Sequence, residues 1–328
     1  MRTKNPSSAL KRQYATTILP SLYNGINLEA NYFRPGQELS AMGLVRFSVD
    51  SEKPRYGVLD EGTVLDVSQS DICDDTHILD RIESVISIAS TEPDEFDAYN
   101  SESVRFHQPV EPSKILRLEG CYEHDLTDQG FDRFVETDGL NENEWPGAFA
   151  APPTTIVPPD SDLELPQFAE QIRPGLEVGF VIGTDAKYLN PGDAMDAVSG
   201  ILAVATLTVF DDLPGLFGYK SFDSALPVAR QVVPRGEVPV EDLSLSLSVN
   251  GEELDRQSTA SWRFEPGEFV ASMANGISLR PGDVILTGNP MRVDRTLADG
   301  DRLSVSIDGV GTRTSKVVRE STDVGIRI

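Results

Sequence analysis

The sequence predicts an α+β chain in which β-structure dominates, and three observations carry that expectation. From Lys114 onward, apolar residues fall into short runs or strict alternation, cut at regular intervals by Gly, Pro, Asn and Asp. Hairpin signals recur, with Asn250-Gly251 inside 243–254 and Asp299-Gly300-Asp301 before the alternating Leu303, Val305 and Ile307. Helical spacing is confined to two segments, 76–90 (Ile78, Ile82, Val85, Ile86, Ile88) and 191–203 (Met195, Val198, Leu202).

In chain order, residues 1–41 read as an N-terminal extension to which no function is assigned. They carry five basic side chains (Arg2, Lys4, Lys11, Arg12, Arg34) against two acidic ones (Glu29, Glu38), contrary to the rest of the chain. Residues 42–108 read as a small α+β domain: strands around Val45–Val49, Tyr56–Leu59 and Thr63–Val67, then the helix of 76–90. Segment 107–113 leads into a larger strand-rich domain, 109–328. Its most informative stretch is 278–310. Pro281-Gly282-Asp283 is a tight turn, Val284-Ile285-Leu286 a short buried strand, and Thr287-Gly288-Asn289-Pro290 an exit where a residue without Cβ lets a ligand approach the backbone.

Charge narrows the function classes. With 28 basic and 53 acidic side chains the net charge is −25, which keeps a protein hydrated where salt screens the repulsion; we read it as adaptation to a salty cytoplasm. No basic patch is available for nucleic acid. No apolar run approaches the roughly 20 residues of a membrane helix, and the two cysteines, Cys73 and Cys121, read as reduced thiols of a cytoplasmic protein. Of the three histidines, His77 and His107 read as surface residues, and His124 lies in a polar loop after the strand 115–118.

Five segments together resemble the fumarylacetoacetate hydrolase superfamily, over about the last two thirds of the chain. They are Gly120-Cys121-Tyr122-Glu123-His124, the run 176–183 (LEVGFVIG), Lys220-Ser221-Phe222-Asp223, Val249-Asn250-Gly251, and the 281–290 segment closed by Ile307, Gly309 and Gly311. The resemblance implies a mixed β-sandwich roll with a pocket at one end, a homodimer, and Mg²⁺, Mn²⁺ or Ca²⁺ held by Glu-x-Glu on one strand and an Asp on another. The second Glu matches Glu177 and the first Gly175; the aspartate is Asp211 or Asp212. His124 matches the family's general base, Asp128 is the nearest substitute for a dyad glutamate that would fall at Thr127, and Lys220 matches a lysine that contacts the substrate's oxyanion. Tyr122, Thr287, Gly288 and Asn289 are expected to line the pocket.

A hard cation held by oxygen ligands polarises a 2-oxo acid and lowers the energy of its enolate, which is why this residue set points to that chemistry. A charge at Glu177, flanked by Leu176, Val178 and Phe180, demands a cation or a basic partner if it is buried. The expected function is therefore a metal-assisted hydrolase or lyase acting on a small 2-oxo or 1,3-diketo acid. Gly175 and the altered histidine loop, with Cys121 where Asn is usual, define the alternative: a catalytically degenerate member that binds a ligand or a partner subunit.

Overall fold

Eighteen strands and four α-helices are formed among the described residues of the computed structural model, which are 41–50, 52–69, 78–123, 146–211 and 217–319. The strands begin with β1 (Gly43–Ser48), β2 (Arg55–Asp60), β3 (Thr63–Asp66), β4 (Asp97–Asn100), β5 (Arg105–His107), β6 (Ile115–Glu119) and β7 (Gly147–Ala151). They continue with β8 (Ile156–Val157), β9 (Leu163–Glu164), β10 (Ile172–Ile182), β11 (Val198–Val209), β12 (Leu226–Pro227) and β13 (Gln231–Pro234). The remainder are β14 (Ser244–Val249), β15 (Glu252–Ser258), β16 (Val284–Leu286), β17 (Arg302–Ile307) and β18 (Gly311–Val318). The helices are α1 (Ile82–Thr91), α2 (Pro191–Ala194), α3 (Phe217–Lys220) and α4 (Pro266–Gly276), none long and apolar enough to cross a membrane.

A large mixed sheet runs β4-β3-β2-β1-β13-β11-β10-β16-β6-β7, with β5 also on β1, and a second sheet runs β15-β14-β17-β18-β9. Strands β14, β17 and β18 pack on the β10–β11 hairpin, so one apolar core is shared between the two sheets, giving a sandwich. β10 and β11 are buried on almost every residue, as central strands covered on both faces must be.

The turns take the conformations their residues dictate. Asn250 and Gly251 both have positive φ, the type I′ hairpin between β14 and β15. Gly282 and Gly300 sit at the third position of turns closed by Asp283 N–H to Arg280 O and Asp301 N–H to Ala298 O.

One expectation changes. Residues 198–203 are strand, not helix: α2 and a 3-10 turn end at Ala197, and β11 starts at Val198. A strand buried on both faces is apolar at every position, so it satisfies helical spacing too. Helix α4 lies outside the segments 76–90 and 191–203, and Pro266 at its first position and the reciprocal Glu265–Glu268 capping box mark its start. Strand β1, in segment 42–108, pairs antiparallel with β13 of the strand-rich region that follows.

Candidate active site

Alternation along β10 puts Gly175, Glu177 and Gly179 on one face of the large sheet. Register fixes what lies beside them. On β11 the partners are Thr206, Val204 and Leu202; on β16, Leu286 lies opposite Gly179; on β6, Arg117 lies beside Leu286; on β7, Phe149 lies beside Arg117. Gly179 contributes no side chain, so Arg117 and Glu177 reach each other over Leu286.

Both charges are buried, with side chains 1% and 2% exposed. Arg117 Nη2 donates to Glu177 Oε1, Nη1 donates to the Lys220 carbonyl at 2.8 Å, and the guanidinium lies 5.4 Å from the Phe149 ring centre. Two residues along β6, Glu119 pairs with Lys220 Nζ, each side chain about a quarter exposed. Three buried polar atoms on this face have no hydrogen-bond partner among the described residues: Glu177 Oε2, Arg117 Nε and Thr206 Oγ1. Orphans of this kind, in a site otherwise satisfied, are where a water or ligand oxygen is expected.

The end of β16 forms the adjoining wall. Gly288 has φ of +85°, and a Cβ there would sit 3.2 Å from the Cys121 side chain. Asn289 Oδ1 accepts from Leu176 N–H (3.0 Å) and Met291 N–H (3.1 Å), and its Nδ2 makes no hydrogen bond among the described residues. Its amide group also fills the space beside Gly175, 2.6 Å from where a Cβ would stand.

Two expected pocket residues have other duties. Thr287 is fully buried, its N–H and hydroxyl both donating to Val178 O (3.0 and 3.1 Å). Tyr122 is fully buried against Trp262, which meets Phe180 and Phe269 edge-to-face. Burial first, then nearby Cys121 and Glu177, holds its phenol well above the usual pKa of 10.0.

The structure does not bring Glu177 and Asp211 together. By the β10–β11 register, Asp211 lies beside residue 170, seven residues and roughly 23 Å of strand from Glu177. Its Oδ2 accepts from the backbone N–H groups of Glu170 and Gln171 at 2.9 and 2.8 Å, an anchor for the start of β10. His124, Asp128 and Asp212 lie outside the described residues. The residues that sequence reasoning missed are Arg117 and Thr206. The signal for Arg117 was present, since a charge inside the apolar run Ile115–Leu118 demands a buried counter-charge as Glu177 does.

A family model described as fumarylacetoacetate (FAA) hydrolase C-terminal matches residues 114–318, more than half of the chain. The chain belongs to this family. An uncharacterised protein of Pyrococcus abyssi is 27% identical over 220 residues, 65% of this chain and 93% of its own. Mouse mitochondrial oxaloacetate tautomerase is 31% identical over 183 residues, 53% of this chain and 81% of its own. Maleylpyruvate hydrolase from Sphingobium sp. SYK-6 shares the fold, with a TM-score of 0.70 at 22% identity over 85% of this chain and 100% of that one. A second structure of that hydrolase is a complex with manganese(II) and pyruvate, with a TM-score of 0.69 at 21% identity over the same shares of the two chains.

A divalent ion does not fit the described residues of this family member. The two carboxylates of this face among the described residues are each already neutralised, Glu177 by Arg117 and Glu119 by Lys220. The neighbouring positions are Gly175, Val204 and Thr206, none of them anionic. Among the described residues, no three His, Cys, Asp or Glu side chains group closely enough to hold a metal.

Proposed function

We propose that this chain is an enzyme of the fumarylacetoacetate hydrolase family that acts on a small 2-oxo or 1,3-diketo acid through its enolate. The observation that carries this reading is the pairing of two cations at one site, Arg117 with its Nη1 on the Lys220 carbonyl and Lys220 with its ammonium on Glu119. In a chain of net charge −25, two cations brought together beside Glu177 Oε2 and Thr206 Oγ1, which have no partner among the described residues, are suited to an oxo-acid. The relatives' names, a tautomerase and a hydrolase, both concern such acids. C–C hydrolysis, decarboxylation, hydration or dehydration, and isomerisation share the enolate. In this reading Lys220 leaves Glu119 to meet the developing oxyanion, Asn289 Nδ2 offers a donor from the β16 wall, and His124, oriented by Asp128, moves the proton. The Mg²⁺ or Mn²⁺ expected from the sequence takes no step in it.

The test is exchange of C3 protons of pyruvate or oxaloacetate in D₂O, followed by proton NMR, because every candidate reaction passes through the enolate. The protein should accelerate exchange and Lys220→Met should lose the acceleration. A second reading, a binding protein without turnover, is favoured by Gly175 standing where the family carries its first glutamate and by Arg117 occupying Glu177. Saturation transfer from protein to pyruvate with exchange at the buffer rate would establish that reading and end the first.

A further inference from the structure

We propose that the Arg117 guanidinium replaces a divalent ion as the resident cation of this site, so that ligand binding here is independent of metal. The inference concerns which cation sits on Glu177, and it stands whether the bound molecule is turned over or only held.

Three features of the sheet face lead to it. Glu177 has one oxygen on Arg117, and its other oxygen lies buried without a partner among the described residues. The positions from which further anionic oxygens would converge are closed. The space beside Gly175 is filled by the Asn289 amide, and register places Val204 and Thr206 across on β11. Arg117 is also fixed in place. It is 1% exposed, donates to the Lys220 carbonyl at 2.8 Å and lies against Phe149, so making room for a metal ion means breaking three contacts. A dication admitted beside an immovable guanidinium would meet like charge at short range in a dry site.

The replacement has chemical consequences. A guanidinium exchanges no ligands and binds through directed N–H donors. Among the described residues, Arg117 Nε remains an unused donor, and Glu177 Oε2 and Thr206 Oγ1 remain unused acceptors. The site therefore presents hydrogen bonds where a metal would present coordination.

The test is a Mn²⁺ titration of the full chain, freed of metal by chelator and held in molar KCl, with the free ion read by electron paramagnetic resonance. The wild-type protein should leave the free-ion signal equal to that of buffer, and neither Mn²⁺ nor EDTA should move its Tm. Stoichiometric loss of signal that Glu177→Gln abolishes would overturn the proposal. Arg117→Ala leaves Glu177 without a counter-ion, so Mn²⁺ should now raise Tm, and Arg117→Ala/Glu177→Gln should lose that response. An Arg117→Ala protein as indifferent to Mn²⁺ as wild type would also overturn it. Should Arg117→Ala not fold, the comparison of wild type with Glu177→Gln decides alone, and Arg117→Lys, which keeps a cation, should match wild type.

Discussion

Arg117 on β6 and Glu177 on β10 form a buried ion pair across the intervening strand β16, passing over Leu286 in the gap left by Gly179. Removing one partner strands a charge in a site less than 3% exposed, which costs about 3–5 kcal/mol, whereas replacing both with apolar residues of similar volume is often close to neutral. Glu177→Gln and Arg117→Met should each lower the urea midpoint strongly, and Arg117→Met/Glu177→Leu should recover most of the loss. A double variant as unstable as the sum of the singles would show that the pair is not the source of either effect.

Gly175 and Asn289 occupy one volume between them. A Cβ at 175 would stand 2.6 Å from the Asn289 amide, and that amide holds the Leu176 and Met291 N–H groups. Gly175→Ala should therefore cost about 1–3 kcal/mol by overpacking. Asn289→Ala makes room at the expense of two hydrogen bonds, so the two substitutions should be strongly non-additive in thermal unfolding. Simple additivity would mean that Gly175 is required for its backbone rather than for the space.

Much of this fold can be read along the chain, since turn chemistry is local. Asn250-Gly251, Pro281-Gly282 and Asp299-Gly300 each specify a backbone conformation within four residues, and the strands between them follow. What escaped reading is what depends on register. Nothing local states that Glu177 lies beside Val204, that Asp211 falls seven residues beyond its reach, or that Arg117 arrives two strands away. For the same reason β11 resembles a helix in sequence: its burial comes from elements distant along the chain, among them α1, β17 and β18, which pack against it and which the local pattern does not contain. The candidate site is thus legible as residue types, and its partnerships appear only once the strands are paired.

In the proposed function, Glu119 competes with ligand for Lys220. Their ion pair is partly exposed and worth up to about 1 kcal/mol, or about fivefold in affinity. Glu119→Gln should tighten binding of oxalate, a stable dianion shaped like an enolised 2-oxo acid, by about that factor in calorimetric titration. Lys220→Met should weaken it. If Glu119→Gln leaves the affinity unchanged, Lys220 does not reach the bound anion.

His107 gives the chain a pH dependence of definite sign. Its Nε2 lies 2.9 Å from Ser48 Oγ, and burial first, then Arg105 and Arg46, lowers its pKa from 6.5. The residue is therefore half-buried and hydrogen-bonded on β5 rather than a free surface side chain. Asp160 and Glu111 pull the other way without reversing the shift. Because the folded pKa is the lower one, the unfolded chain takes up the proton first. The contribution to stability is present above the unfolded pKa of 6.5 and is lost as pH falls through the depressed folded value. Carboxylate titration adds its own acid sensitivity in a chain this acidic, so the measurement is a difference. The Tm of wild type minus that of His107→Gln should be flat above neutrality, fall as pH drops below the unfolded value, and level off once the folded histidine is charged. A difference that rises on acidification would mean that the folded state favours the imidazolium, with Asp160 and Glu111 outweighing burial and the two arginines.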